Sequence, residues 1–249
     1  MTNLVLIHGA WASGWAWESL LHCFDSSITL CHVINLPNSE SYEASLQSQA
    51  DIKQYTSHVL DVISKIDEPI WLIAHSGGGL TATAVAEQNP DKIAGIIYIA
   101  GMMLPSGISF TELCQSVSKR GIDTQGIAPY LEQTTYGTKV QTEGIRDIFL
   151  HDATEETIHF ANKKMVVQPN AARVVTINWT KERAGRVSKY YVMAKHDRSV
   201  VPEVQQEMIK LGAPNAVASL PCGHFPQIVL PEQLADIIMG FIKTSPPYL

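Results

Sequence analysis

At 249 residues, with 45% hydrophobic and 17% charged positions, the chain has the balance of a soluble globular protein with one sizeable core. Its net charge of -6 and its lack of any Lys/Arg cluster exclude nucleic acid and anionic membrane as principal partners. No apolar run reaches the length of about 18 residues that a membrane span needs. The N-terminus runs directly into Leu4-Val5-Leu6-Ile7 without a basic leader, so a cytoplasmic location without membrane insertion is expected. The four cysteines, Cys23, Cys31, Cys114 and Cys222, lack metal-ligand spacing and read as reduced, buried thiols, although a Cys23–Cys31 disulfide stays open.

The first apolar run, residues 3 to 7, has no alternation and reads as a strand covered on both faces. It ends in His8-Gly9-Ala10-Trp11-Ala12-Ser13-Gly14-Trp15-Ala16-Trp17, where small residues let the backbone bend towards a neighbouring site and the three tryptophans read as core. A helix around 15 to 24, a strand around 29 to 34 and a polar loop from Pro37 to Gln49 follow. Ile52, Tyr55, Val59, Val62, Ile63 and Ile66 then recur at helical spacing, which predicts an amphipathic helix over 50 to 65.

Pro69-Ile70-Trp71-Leu72-Ile73-Ala74-His75-Ser76-Gly77-Gly78-Gly79-Leu80 predicts a strand, a sharp turn and a helix, with Ser76 at the apex. Such a turn holds a serine hydroxyl clear of the backbone, where it can attack a carbonyl. The usual small-x-Ser-x-Gly pattern is kept by Ala74 and Gly78, Ala74 standing where Gly is commoner. The helix N-terminus behind the serine supplies N–H groups suited to a developing oxyanion. This helix stops at Asn89-Pro90, and 93 to 100 is another buried strand.

Residues 102–187 break the rhythm of short apolar runs and helices. Weak helices near 108 to 119, 144 to 150 and 154 to 164 predict an insertion over the sheet's carboxyl edge, a cap subdomain, with residues 1–101 and 188–249 as the core. Val187 to Ala194 resumes the sheet, followed by a helix over 202 to 211, a strand over 216 to 220 and a closing helix over 231 to 242. The tail Ser245-Pro246-Pro247-Tyr248 is expected to fray. The pattern predicts an α/β fold, a mostly parallel sheet of about six strands with helices on both faces.

A neutral serine needs a base, and the base an orienting carboxylate, in loops after later strands and in the order serine, acid, histidine. The loop after strand 187–194 contains one acid, Asp197; the loop after strand 216–220 contains His224, the last histidine in the chain. Ser76, Asp197 and His224 are therefore the candidate catalytic triad. His8 and His75 read as loop-bracing residues, the remaining histidines as surface or packing, and Cys222 as a small buried residue. Metal clusters are absent from the sequence, Gly77-Gly78-Gly79 lacks the lysine of a phosphate loop, and no cofactor is called for.

With these residues in place the chain resembles the α/β-hydrolase superfamily over nearly its whole length. More narrowly, it resembles the small plant methylesterases and hydroxynitrile lyases and their bacterial esterase relatives. The resemblance is carried by His8-Gly9-Ala10 with Trp15 and Trp17, the Ser76 turn, Asn89-Pro90-Asp91-Lys92-Ile93, Phe149-Leu150-His151-Asp152 through Lys164-Met165, and the Asp197 and Gly223-His224 loops. It implies an oxyanion hole formed by the backbone N–H groups of Ala10 and Gly77. Hydroxynitrile lyases of this group carry Thr after the first-loop His and Lys after the last His; Gly9 and Phe225 stand there instead, which favours ester hydrolysis and makes Phe225 an apolar wall.

The expectation is a serine carboxylic ester hydrolase for small to medium, apolar, small-molecule esters. A lyase or carbon-carbon bond hydrolase on the same triad, and a ligand sensor that signals through its cap, are the alternatives. Met102, Met103, Leu104, Phe110, Tyr130, Tyr136, Phe149, Phe160 and Met165 are equally candidates for pocket lining and for cap core. A homodimer stays open.

Overall fold

The structure, a computed structural model, describes residues 1–25 and 29–245. The expectation of a frayed tail therefore lies, beyond Ser245, outside the described residues. The strands are β1 (Thr2–Ile7), β2 (Thr29–Ile34), β3 (Ile70–His75), β4 (Ile93–Ile99), β5 (Leu131–Gln133), β6 (Gly137–Val140), β7 (Gln168–Pro169), β8 (Lys189–Ala194) and β9 (Ala216–Leu220). Six of them form a parallel sheet in the order β2-β1-β3-β4-β8-β9.

The central strands are apolar throughout because both faces are covered. Val5, Leu72 and Ile96 point into one cluster and Leu6, Ile73 and Ile97 into the other, the alternation that the pleat imposes. Helices Ile52–Ile63, Gly78–Gln88 and Pro202–Gly212 cover the first face through Val59, Val85 and Met208. Trp17 and Leu20, with Leu234, Ile238 and Phe241 of helix Pro231–Thr244, cover the second. Helix Ile52–Ile63 starts where it does because Asp51 and Gln54 form a capping box: each side chain accepts the other's backbone N–H. The outer strand β9 alternates between half-buried or buried and exposed positions, as expected at an edge.

Strand order fixes where a site can form. The chain passes from β1 outward to β2 and returns to β3 on β1's other side, so the loops leaving the carboxyl ends of β1 and β3 diverge. An open α/β sheet forms its crevice at such a switch point.

Residues 102–187 lie between β4 and β8 and hold helices Phe110–Ser118 and Glu155–Lys164, a π-helical turn Ile145–Phe149, and an antiparallel sheet β5-β6-β7. Trp11 and Trp15 of the loop after β1 pack with Ile145, Phe149, Ile158 and Phe225 in a third cluster, which joins this segment to the sheet's carboxyl edge.

Several elements differ locally from expectation. The helix over 15 to 24 is a 3-10 turn, Gly14–Trp17, running into the short helix Glu18–Leu21. The loop from Pro37 to Gln49 contains a helix, Tyr42–Leu46, capped by the Ser41 hydroxyl, which accepts from the Ala44 N–H. All four cysteine thiols are free as expected, but only Cys222 is buried, Cys23, Cys31 and Cys114 being half-buried. Among the described residues no helix is long and apolar enough to cross a membrane.

Candidate active site

Ser76 follows β3 directly and has φ +50, a left-handed backbone that a residue with a side chain adopts only under constraint. The constraint is visible on both sides. The Ser76 N–H donates to the Ile99 carbonyl at 3.1 Å, and the Ser76 carbonyl accepts from the N–H groups of Met102 at 2.9 Å and Gly79 at 3.1 Å. The next turn lies so close to β1 that a Cβ at Gly78 would stand 2.6 Å from the carbonyl oxygens of Ile7 and His8. Only glycine fits there, and the hydroxyl is held up as a result.

The Ser76 hydroxyl lies 3.0 Å from Nε2 of His224, whose Nδ1 lies 2.8 Å from Oδ2 of Asp197. All three side chains are buried. Asp197 also accepts the N–H groups of Ser199 at 2.7 Å and Val200 at 3.0 Å on Oδ1, and the Gln205 amide at 3.2 Å on Oδ2. With His224, these four donors meet the buried oxygens of the side chain. This arrangement fixes the imidazole with Nδ1 as donor and Nε2 as acceptor for the serine proton.

Gln205 is fully buried and clamps the acid loop as well, donating to the Val200 and Ala194 carbonyls at 2.7 and 3.1 Å and accepting from the Ala194 N–H at 3.0 Å. It was not singled out from the sequence. The available signal is its place, with Val204 and Met208, among the buried positions of helix Pro202–Gly212. Asp152, from the intervening segment, was quoted only within a longer motif; its carboxylate accepts the Gly223 N–H at 2.6 Å and holds the turn that presents His224.

Ala10 and Gly77 line the same cavity as Ser76, and a Cβ on Gly77 would stand 3.6 Å from the Ala10 nitrogen. Gly9 lies against the serine itself, since a Cβ there would be 2.8 Å from the Ser76 Cβ. His8 braces this loop: its Nδ1 donates to the Gly9 carbonyl at 2.8 Å and its Nε2 accepts the Leu36 N–H at 3.1 Å. Burial pushes His8 down to about 4, only partly opposed by the Gly9 hydrogen bond, so it stays neutral. Burial, and then repulsion from His224, hold His75 well below the usual histidine range.

The cavity above Ser76 measures about 250 Å³. Of the apolar candidates named from the sequence, Met102 and Phe110 line it. Met103, Leu104, Phe149 and Met165 are buried in the core clusters, while Tyr136 and Phe160 are exposed at 39% and 41%. Phe225 is not the cavity wall expected of it: it is buried among Trp15, His75 and Phe149 behind the imidazole.

The model of the Alpha/beta hydrolase family matches residues 4–237, almost the whole chain. The protein is an α/β-hydrolase. This hydrolase is 27% identical over 255 residues to the pyrethroid hydrolase of Sphingobium wenxiniae, across 100% of its own chain and 90% of that protein. It is 25% identical over 250 residues to methylesterase 17 of Arabidopsis thaliana, across 95% of its own chain and 90% of that one. Among solved structures, a pyrethroid hydrolase from Sphingobium faniae superimposes with a TM-score of 0.85 at 25% identity, covering 98% of both chains.

Proposed function

We propose that this α/β-hydrolase is a serine carboxylic ester hydrolase in which Ser76, His224 and Asp197 form the catalytic triad and the N–H groups of Ala10 and Gly77 the oxyanion hole. The observation that carries the reading is the continuous relay from the Ser76 hydroxyl through His224 to Asp197, opening on a largely apolar cavity. The pyrethroid hydrolase and methylesterase relatives support ester chemistry.

In this mechanism His224 Nε2 takes the Ser76 proton as the oxygen attacks the ester carbonyl. The Ala10 and Gly77 N–H groups hold the tetrahedral oxyanion. Asp197 orients the imidazole and stabilises its cationic form without taking the proton. His224 then protonates the departing alcohol, and a water activated by the same nitrogen releases the acyl group from Ser76.

Residues 102–187 act as a cap that closes the cavity over the core made of 1–101 and 188–249. Phe110, Ile127 and Leu131 contribute apolar lining from that segment, which supports esters with an apolar group of modest size. The relay and both proposed oxyanion donors belong to one chain, so a homodimer is not required for chemistry. The free thiols support a cytoplasmic location.

The test is hydrolysis of p-nitrophenyl esters from acetate to decanoate by wild type beside Ser76→Ala. Turnover that depends on Ser76 and peaks at one chain length is expected. A folded protein inert across the series overturns the reading.

A further inference from the structure

Among the residues that line the cavity above Ser76, one carries a full charge. It is Arg173, at the end of the short helix Asn170–Arg173, and no Asp or Glu lines the cavity with it. Among the described residues no carboxylate forms an ion pair with this guanidinium. Its polar contact within the protein is a long one, Nη2 to the Asn170 side-chain oxygen at 3.5 Å. Nε is buried with no acceptor at all.

A half-buried cation in this state is costly, and proteins normally meet such a group with an anion. Here the position is built. The guanidinium lies over the Trp11 ring, 5.7 Å from its centroid, and the ring is itself anchored: its indole N–H reaches the Thr138 carbonyl and hydroxyl at 3.0 and 3.1 Å. The Trp11 backbone N–H donates to Gln168 at 3.4 Å, and Trp11 holds a left-handed φ of +60. Trp11 also follows Ala10 directly, so the same rigid loop that carries a proposed oxyanion donor carries the platform for the cation. Burial lowers the Arg173 pKa, yet an arginine remains charged throughout the working range of a protein.

We infer that Arg173 is an anion-binding specificity residue, and that the preferred substrates are esters carrying one free carboxylate, such as half-esters of dicarboxylic acids. This rests on the ester-hydrolase reading for its chemistry and refines the substrate. The ester carbonyl sits at Ser76, the apolar linker crosses the cavity, and the distal carboxylate accepts from the free guanidinium N–H groups. A neutral ester of equal length fills the same space but leaves the guanidinium unanswered.

The experiment compares mono-p-nitrophenyl adipate with p-nitrophenyl hexanoate, in which a methyl replaces the distal carboxylate, for wild type, Arg173→Gln and Arg173→Lys. Wild type is expected to favour the adipate half-ester in kcat/KM. Arg173→Gln should remove about 10- to 100-fold of that preference, chiefly through KM, while hexanoate turnover changes little. Arg173→Lys should keep part of the preference, since charge survives without the planar fork. A ratio that is the same in all three proteins overturns the inference. So does a wild type with no preference, which settles the matter even if Arg173→Gln fails to fold.

A binding arm separates this inference from the reaction beneath it. Calorimetric titration of Ser76→Ala with monomethyl adipate and with methyl hexanoate should show tighter binding of the anion, lost in Ser76→Ala/Arg173→Gln. Anion-selective binding with no turnover of either ester overturns ester hydrolysis and keeps the anion subsite. Turnover of both esters without anion selectivity overturns the subsite and keeps the hydrolase.

Discussion

His75 donates from Nε2 to the backbone carbonyl of His224 at 2.7 Å, so the residue before the strained serine holds the main chain of the imidazole that faces it. A carbonyl only accepts, which assigns the His75 proton to Nε2 and leaves its buried Nδ1 without a partner. The two rings lie 4.8 Å apart, centre to centre. Replacing His75 by Phe keeps the ring and removes the donor, leaving a buried carbonyl unmet at about 1–3 kcal/mol. The expected result is a lower melting temperature and a kcat reduced about tenfold with KM nearly unchanged, read by steady-state kinetics beside thermal unfolding.

The relay predicts a graded series. Ser76→Ala should lower kcat by about 10⁶-fold, and Asp197→Asn by about 10⁴-fold. Gln205→Leu, which removes one of the four donors to Asp197 and breaks the clamp on its loop, should cost far less, about tenfold in kcat/KM. One ester assayed with all three variants checks the order; a Gln205→Leu protein as impaired as Asp197→Asn would contradict it.

Gly9→Thr addresses the lyase alternative. Its Cβ would stand 2.8 Å from the Ser76 Cβ and 3.0 Å from the His75 Nδ1, so this backbone cannot take a side chain at position 9 without moving the serine. Overpacking of this kind costs about 1–3 kcal/mol. Loss of esterase activity, a lowered denaturation midpoint and no cyanohydrin cleavage are expected. Gain of cleavage would show that the loop adapts.

Two buried histidines give stability a pH dependence. The unfolded chain binds protons below about 6.5, whereas burial holds His8 in the fold down to about 4 and holds His75 well below the usual histidine range. Their contribution is therefore fully present above about 6.5 and is lost progressively as pH falls towards the folded values, by at most about 1.4 kcal/mol per pH unit for each histidine. Urea midpoints between pH 7 and 5 should fall, and His8→Asn should flatten that slope by one histidine's share. A flat wild-type profile would contradict the burial of neutral imidazoles.

The strands were readable because a strand covered on both faces needs no alternation, only a short apolar run between turn residues. Val5, Leu72 and Ile96 lie in such runs. Ser76, Asp197 and His224 were readable as candidates because each follows a strand, and a parallel sheet brings every strand's carboxyl end to one edge. Gln205 and Arg173 escaped notice because their neighbours come from tertiary packing: a glutamine on a helix and an arginine in a polar stretch look like surface until the chain folds around them. The strands β5, β6 and β7 are two to four residues long, too short for any period to register. Phe225 was misplaced because its neighbour His224 faces the serine, and the adjacent side chain turns the other way, into the packing behind the ring.

The hydrogen bond from the Gly223 N–H to Asp152 makes the segment 102–187 a mechanical support of the loop that carries the proposed base, His224, as well as part of the cavity's wall. An engineer who grafts residues 102–187 from a relative to alter substrate choice would exchange that support at the same time. Selectivity and turnover are thus linked through one carboxylate, and a graft that keeps Asp152 in register with Gly223 separates them.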